Sequence, residues 1–181
     1  MLFDIFITLL LVFLNGFFVA AEFAIVKVRA SQLEVKAKAG NRFAILSKHI
    51  VSHLDGYLAA TQLGITLASL GLGWIGEPVV SKMIMGIMHA FGSEMDEVLA
   101  HRIALPIAFA IITVLHIVFG ELAPKTIAIQ RSEKTALVLS YPLQFFYFIF
   151  RPFIWVLNGI ANFLLKLLGI TASHGNEVHS S

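Results

Sequence analysis

The sequence predicts an all-α integral membrane domain, and three observations carry that expectation. Of 181 residues, 58% are apolar and only 13% are Asp, Glu, Lys or Arg, and the mean hydropathy is +0.86. Soluble domains carry about a quarter charged residues, so lipid is the expected solvent here. The second observation is a set of three apolar runs, each near the roughly 20 residues that cross hydrocarbon. The third is the segregation of basic and acidic residues between those runs.

The first run, "LFDIFITLLLVFLNGFFVAAEFAIV", gives a span over about 2–27. A secretory leader would open on basic residues and be shorter; this run instead meets Lys27 and Arg29 at its far end. The second span covers about 54–75, around "YLAATQLGITLASLGLGWIG", and the third about 98–120. Lys27, Arg29, Lys36, Lys38, Arg42 and Lys48 separate the first two spans, against Glu34 and Asp55. Glu77, Glu94, Asp96 and Glu97 separate the second and third, against Lys82 and Arg102. Basic loops stay in the cytoplasm, so the N-terminus is expected outside and the third span ends inside.

Residues 28–53 carry helical periodicity. Ala30, Leu33 and Ala37 share one face, Gly40-Asn41 offers a turn, and Phe43, Leu46, Ile50 and Leu54 repeat the pattern. The expectation is a cytoplasmic helical hairpin lying against the membrane, with most of its lysines on a solvated face. The last apolar region, Thr135 to Gly169, is cut by Arg151-Pro152 into two stretches of roughly sixteen residues, and Pro142 weakens the first. Its many aromatic residues are interfacial in character. A fourth span, placing the C-terminus outside, and a bent belt of helix in the interface, leaving it in the cytoplasm, both fit. The tail "TASHGNEVHSS", residues 171–181, has the polarity of a linker.

Several classes are excluded. A net charge of +2 gives no nucleic-acid signature, and the absence of cysteine removes disulfides, thiolate metal sites and thiol catalysis. There is no H-E-x-x-H, G-x-S-x-G or phosphate-binding loop, so an enzyme is not expected.

The chemistry concentrates in "FGELAPK", residues 119–125, which closes a run without charge from Ile103 to Gly120. Glu121 lies four residues before Lys125, and Glu22 five before Lys27. Both spans run the same way, so helical rise puts the two carboxylates at similar depth, about 6–8 Å from the basic boundary. Carboxylates there are functional candidates unless they snorkel or pair; pairing with Lys27 is the plain alternative for Glu22. Pro124 has no N–H for the carbonyl of Gly120, which frees an oxygen beside Glu121. A carboxylate and a free carbonyl at a helix break suit a hard cation, with Lys125 as the partner that holds the site without its ion.

The second span adds Thr61, Gln62, Thr66 and Ser69, the last three at i, i+4, i+7. Such oxygens, without Cys or a His cluster, favour Mg²⁺ or Na⁺ over zinc or copper. Hydroxyls within a span also commonly bond only their own helix. Asn15 is expected to mediate helix contact, His116 to be a packing or hydrogen-bonding group, and Gly64, Gly71 and Gly73 to let helices come close.

"LNGFFVAAEFAIVKVR", "TQLGITLASLGLGWIGEP" and "VFGELAPKTIAIQ" resemble the transmembrane domain of the CorC/CNNM family, called hemolysin-like in bacteria. The resemblance covers nearly all of the chain, 1–170. It implies a homodimer with three spans, the hairpin, and a juxtamembrane belt helix over 135–168. It further implies that 171–181 leads toward cytoplasmic CBS domains that bind nucleotide. The function implied is Mg²⁺ export from the cell across the plasma or inner membrane, in exchange for Na⁺. Glu121 matches the family's acidic ligand on the third span and Glu22 the acid near the end of the first. Ala21 stands where many members have a serine, and Ser69 where they have an asparagine.

The expected site is therefore Glu121 and the Gly120 carbonyl, with Ser69, Thr66 and Glu22. Two other functions fit the same residues. One is a membrane anchor or sensor for the nucleotide-binding domains, with Glu121 structural. The other is an exporter of an organic cation such as a polyamine, suggested by the changes at Ala21 and Ser69.

Overall fold

The computed structural model describes residues 1–92 and 96–170, and every long segment among them is helical. Six helices follow one another: α1 (Leu2–Lys27), α2 (Ala30–Lys38), α3 (Arg42–Ser52), α4 (Leu54–Ala90), α5 (Glu97–Gln130) and α6 (Ser132–Leu167). Four of them (α1, α4, α5 and α6) are long and apolar enough to cross a membrane. The all-helical expectation holds, whereas the helix lengths differ from it. Glu94 and the tail 171–181 lie outside the described residues.

The second and third spans are longer than 54–75 and 98–120. Charges at Glu77 and Glu97 bound the uncharged stretches, but a helix does not stop where charge begins. "EPVVSKMIMGIMHA" continues α4 and packs along the first half of α5. Ala100, Ala104 and Ala108 recur every four residues along α5 as a buried row that continues into Ile112. At about 1.5 Å per residue, 37- and 34-residue helices measure about 50–55 Å, against about 30 Å of hydrocarbon. The α4–α5 hairpin therefore projects several turns beyond it.

Each of these two helices contains one π-helical turn, Leu72–Gly76 in α4 and His116–Leu122 in α5. Each turn ends two residues before a proline, Pro78 or Pro124. A proline ring inside a helix removes one hydrogen bond and presses on the carbonyl four residues back. Widening the preceding turn to an i→i+5 bond lets the helix continue; the Ala123 N–H bonds Val118 O in this way. Pro124 therefore produces a π turn and not the expected break.

α6 also departs from expectation. Pro142 and Arg151-Pro152 do not divide it, and 36 residues form one helix. Its first half runs antiparallel to α1: Ala136 packs with Ala24 and Val28, Leu143 with Ala21 and Ile25, and Phe146 against Phe17 and Phe18. Tyr147 stacks on Tyr57 of α4 at 4.2 Å between centroids. Beyond Phe150, most residues are exposed.

The hairpin α2–α3 forms as the pattern indicates, with Gly40 in the left-handed region (φ 85°) at its turn. Leu33 and Ile50 are its buried anchors, while Ala30 and Phe43 of the predicted faces are exposed. Glu34 ties the hairpin through Lys48 and Lys38. The hydrogen bond from Lys48 holds the Glu34 carboxyl below its ordinary range. Lys36 pairs with Glu133 of α6, and Ser47 Oγ donates to the Ala136 carbonyl at 3.1 Å.

α1 is the axis of the bundle, packed against α4, α5 and α6. Gly64 makes the α1–α4 approach possible, because a Cβ there would lie 2.6 Å from ring carbons of Phe18. That ring is 3% exposed and wedged among Phe17, Phe146 and Phe150, so it cannot move aside. Gly73, by contrast, has no neighbour within 4 Å and plays no such part. Gly64→Leu should destabilise the purified protein by at least the about 1–3 kcal/mol typical of overpacked cores. The helix propensity regained, about 1 kcal/mol, is too small to offset that. Adding Phe18→Ala should recover part of the loss in a detergent melting experiment. Equal stability of wild type and Gly64→Leu would show that the helices do not meet there.

Candidate functional site

Asn15 lies 13 residues from the start of α1 and 12 from its end, so it sits near mid-depth of a helix that crosses hydrocarbon. It is completely buried. An unpaired amide at that place would be costly, and both of its polar atoms are used. Nδ2 donates to the Gly120 carbonyl at 2.9 Å, and Oδ1 accepts from Ser69 Oγ at 3.0 Å. The carbonyl that Pro124 leaves without its helical donor is thus bonded by a side chain from another helix. A lone pair of that carbonyl remains.

The network continues to His116. Its Nε2 lies 3.2 Å from Ser69 Oγ and 3.8 Å from Glu121 Oε1. Residues five apart on an α-helix point about 140° away from each other. The π turn over His116–Leu122 brings the imidazole and the carboxylate to one side. Close packing fixes this corner. A Cβ at Gly120 would meet Asn15 Nδ2 at 2.9 Å and His116 Cδ2 at 3.0 Å, and one at Gly16 would meet Pro124 Cγ at 2.9 Å. One carboxylate, one imidazole, one hydroxyl, one amide and one carbonyl from three helices therefore converge at mid-bundle.

The other expected site residues fall elsewhere. Glu22 is seven residues beyond Asn15 on α1, about 10 Å along the helix, and its carboxylate has Gln62 and Lys125 as neighbours. Glu121 and Glu22 are therefore at different depths, and Lys125 serves the Glu22 level, its Nζ 4.8 Å above the Phe23 ring. Thr66 is exposed and its hydroxyl donates to Gln62 O of its own helix at 2.9 Å. It lines a groove of about 310 Å³ with Gln62 and, from α6, Ile154 and Asn158. Thr61 likewise donates to Leu58 O. Ala21 is packed with Tyr57, Ile50 and Leu143 in an apolar cluster, so a serine there would not point at Glu121. Ser69, by contrast, joins the network. Among the described residues, no group of three or more His, Asp or Glu is poised to hold a metal.

Asn15 mediates helix contact and His116 hydrogen-bonds, as expected; what sequence reasoning missed is that Asn15 takes the Gly120 carbonyl and that His116 lies beside Glu121. The available signal was Pro124: a proline in an apolar helix implies a wider turn, and a wider turn changes which residues share a face.

Comparison with known proteins fits this architecture. A family described as the cyclin M (CNNM) transmembrane N-terminal domain matches residues 6–181. The chain belongs to the CNNM family. Among Bacillus subtilis (strain 168) proteins, this CNNM domain is 44% identical to UPF0053 protein YhdT over 171 residues, 94% of the chain and 37% of that relative. It is 44% identical to UPF0053 protein YrkA over 172 residues, 95% of the chain and 39% of that relative. It is 45% identical to UPF0053 protein YhdP over 174 residues, 94% of the chain and 38% of that relative. The chain thus spans less than two fifths of the length of these relatives. A multi-pass membrane protein of a transport-associated family is the result.

The Asn15 tie yields a test. Asn15→Ala strands the Gly120 carbonyl and the Ser69 hydroxyl, at an expected cost of about 1–3 kcal/mol. Ser69→Ala should cost less. The double variant should fall short of the sum by about 0.5 kcal/mol or more, because one network is counted twice. Additive losses in reversible unfolding would show that the two side chains do not interact.

Proposed function

We propose that the chain is the membrane domain of an exporter that moves Mg²⁺ out of the cytoplasm in exchange for Na⁺, with Glu121 as the residue that meets the ion. The observation that carries this reading is the Gly120–Glu121 corner, where polar groups from three helices gather at mid-bundle. Ionisable groups at such depth ordinarily mark a substrate path. A single carboxylate beside carbonyl and hydroxyl oxygens suits Mg²⁺, which keeps several of its waters. Glu22, with Lys125 close by, tunes the charge of the cytoplasmic approach and is the proposed point of contact for Na⁺. Membership of a transport-associated family supports the reading.

The proposed arrangement in the plasma or inner membrane has the N-terminus outside, α2–α3 in the cytoplasm and α6 as a belt. Arg151 supports the belt. It is exposed and lies close to the midpoint of Ser132–Leu167, so a straight crossing would place it at the bilayer centre. That costs about 2.5–3.5 kcal/mol on insertion scales, whereas an interfacial helix keeps it in water. The proposed assembly is a homodimer. Glu121 is 43% exposed, and a second copy with a water-filled cleft is a better neighbour for it than lipid. In longer relatives, CBS domains that bind nucleotide are the proposed partners beyond 171–181.

A second reading has one observation in its favour. The Asn15 network satisfies its own members, as a structural tie would in a membrane anchor or sensor for those domains.

Flux in proteoliposomes decides between them. Wild type should move Mg²⁺ and Glu121→Gln should not, both being equally folded. Saturating Mg²⁺ at about a hundred times its dissociation constant should stabilise wild type by about 2.7 kcal/mol and leave the variant unchanged. Mg²⁺ flux through Glu121→Gln at the wild-type rate would refute the transport site. Stabilisation by spermidine alone would move the cargo to organic cations. For topology, a C-terminal cysteine should react only with membrane-permeant reagents; labelling from outside would make α6 a fourth crossing.

A further inference from the structure

The Glu121 corner contains a nitrogen donor that an all-oxygen Mg²⁺ site has no use for. His116 Nε2, Ser69 Oγ and Glu121 Oε1 face one another, with Nε2 3.2 Å from the hydroxyl and 3.8 Å from the carboxylate. Ser69 has one proton and donates it to Asn15 Oδ1, so it offers His116 only lone pairs. The carboxylate offers only lone pairs as well. Two acceptors beside Nε2 leave room for a proton or a cation next to that nitrogen.

The spacing suits an ion. A centre about 2.1 Å from each donor would subtend about 100° between Nε2 and Oγ and about 130° between Nε2 and Oε1. The first angle lies between octahedral and tetrahedral values; the second is too wide, and reaches them when the Glu121 side chain closes to about 3.0–3.4 Å from Nε2. The π turn is what makes the pair, since His116 and Glu121 diverge on an α-helix. Neither residue is tied down by a lysine or arginine: among the described residues, the only basic side chain within 4 Å of the Glu121 carboxylate is the His116 imidazole.

Imidazole distinguishes metals. Mg²⁺ takes oxygen and gains little from nitrogen, whereas first-row divalent ions bind mixed nitrogen and carboxylate sets more tightly. We propose that His116 is a metal ligand and that it makes the site select a divalent transition ion, with Mn²⁺ as the representative, over Mg²⁺. This rests on the reading of Glu121 as the ion site and names the class of ion that the site takes.

The test uses the whole chain in detergent at pH 7.5 with Mn²⁺ and Mg²⁺ as probes. Wild type is expected to bind Mn²⁺ at least about tenfold more tightly than Mg²⁺. His116→Asn should weaken Mn²⁺ by about tenfold or more and change Mg²⁺ by less than about threefold, collapsing the preference. Electron spin-echo modulation of Mn²⁺ bound to wild type should show coupling to an imidazole ¹⁴N, a readout that depends on no variant. Glu121→Gln should lose both ions. An unchanged Mn²⁺-to-Mg²⁺ ratio in His116→Asn, or bound Mn²⁺ without nitrogen coupling, overturns the proposal and leaves the Glu121 reading standing. Binding of neither ion, or equal binding by Glu121→Gln, overturns both.

Discussion

A proline has no hydrogen to give, and much of this domain's centre follows from that. Pro124 cannot bond the Gly120 carbonyl, so α5 widens to a π turn over His116–Leu122 and the carbonyl becomes available to another helix. Asn15 takes it, and by taking it fixes how α1 and α5 sit against each other. Its remaining oxygen then selects Ser69 on α4. In hydrocarbon, burial of apolar side chains does little to distinguish one helix packing from another, because lipid is equally apolar. Satisfied polar atoms and close small-residue contacts carry that specificity, and Asn15, Gly16, Gly64 and Gly120 supply both.

The broad fold was legible because it depends on composition and period. Three apolar runs, the basic connection and the hairpin pattern are one-dimensional signals, and helices α1 to α3 appear within a few residues of their expected bounds. The lengths of α4 and α5 were not legible. Hydropathy marks where charge begins, whereas helix ends depend on turns such as the one at Gly92, with φ 76°. The unity of α6 was hidden for a related reason. Pro142 and Pro152 announce lost hydrogen bonds, but a helix with lipid-like surroundings and strong anchors at Leu143, Phe146 and Tyr147 continues through them.

The site was half legible. Pro124, Gly120 and Glu121 form one local chain of cause, and sequence alone exposes it. The partner of the freed carbonyl was out of reach, because nothing local says which of many polar side chains will arrive from another helix. The approach of His116 to Glu121 was hidden by an assumption of constant 3.6-residue period. The equal depth assigned to Glu22 and Glu121 failed for a different reason. Rise per residue measures distance along one helix, and not how two helices are offset.

A transporter must bind its ion without holding it permanently, and the Asn15 network bears on how. In the proposed cycle, an ion drawn to the Gly120 carbonyl would weaken the hydrogen bond which that oxygen accepts from Asn15, whereas Ser69 spends its proton, and not its lone pairs, on Asn15 and would keep its bond. An interhelical bond in a membrane is worth about 0.6 kcal/mol on average and rarely above about 1.7. Weakening on that scale would lower ion affinity by about three- to sixteenfold at 1.4 kcal/mol per decade, enough to ease release without abolishing binding. The same bond would recover its strength when the ion leaves, so the Gly120 oxygen would have a partner in either state. In the proposed transport cycle, the tie that makes the bundle specific would also be what the ion loosens, which would give one asparagine structural and functional roles.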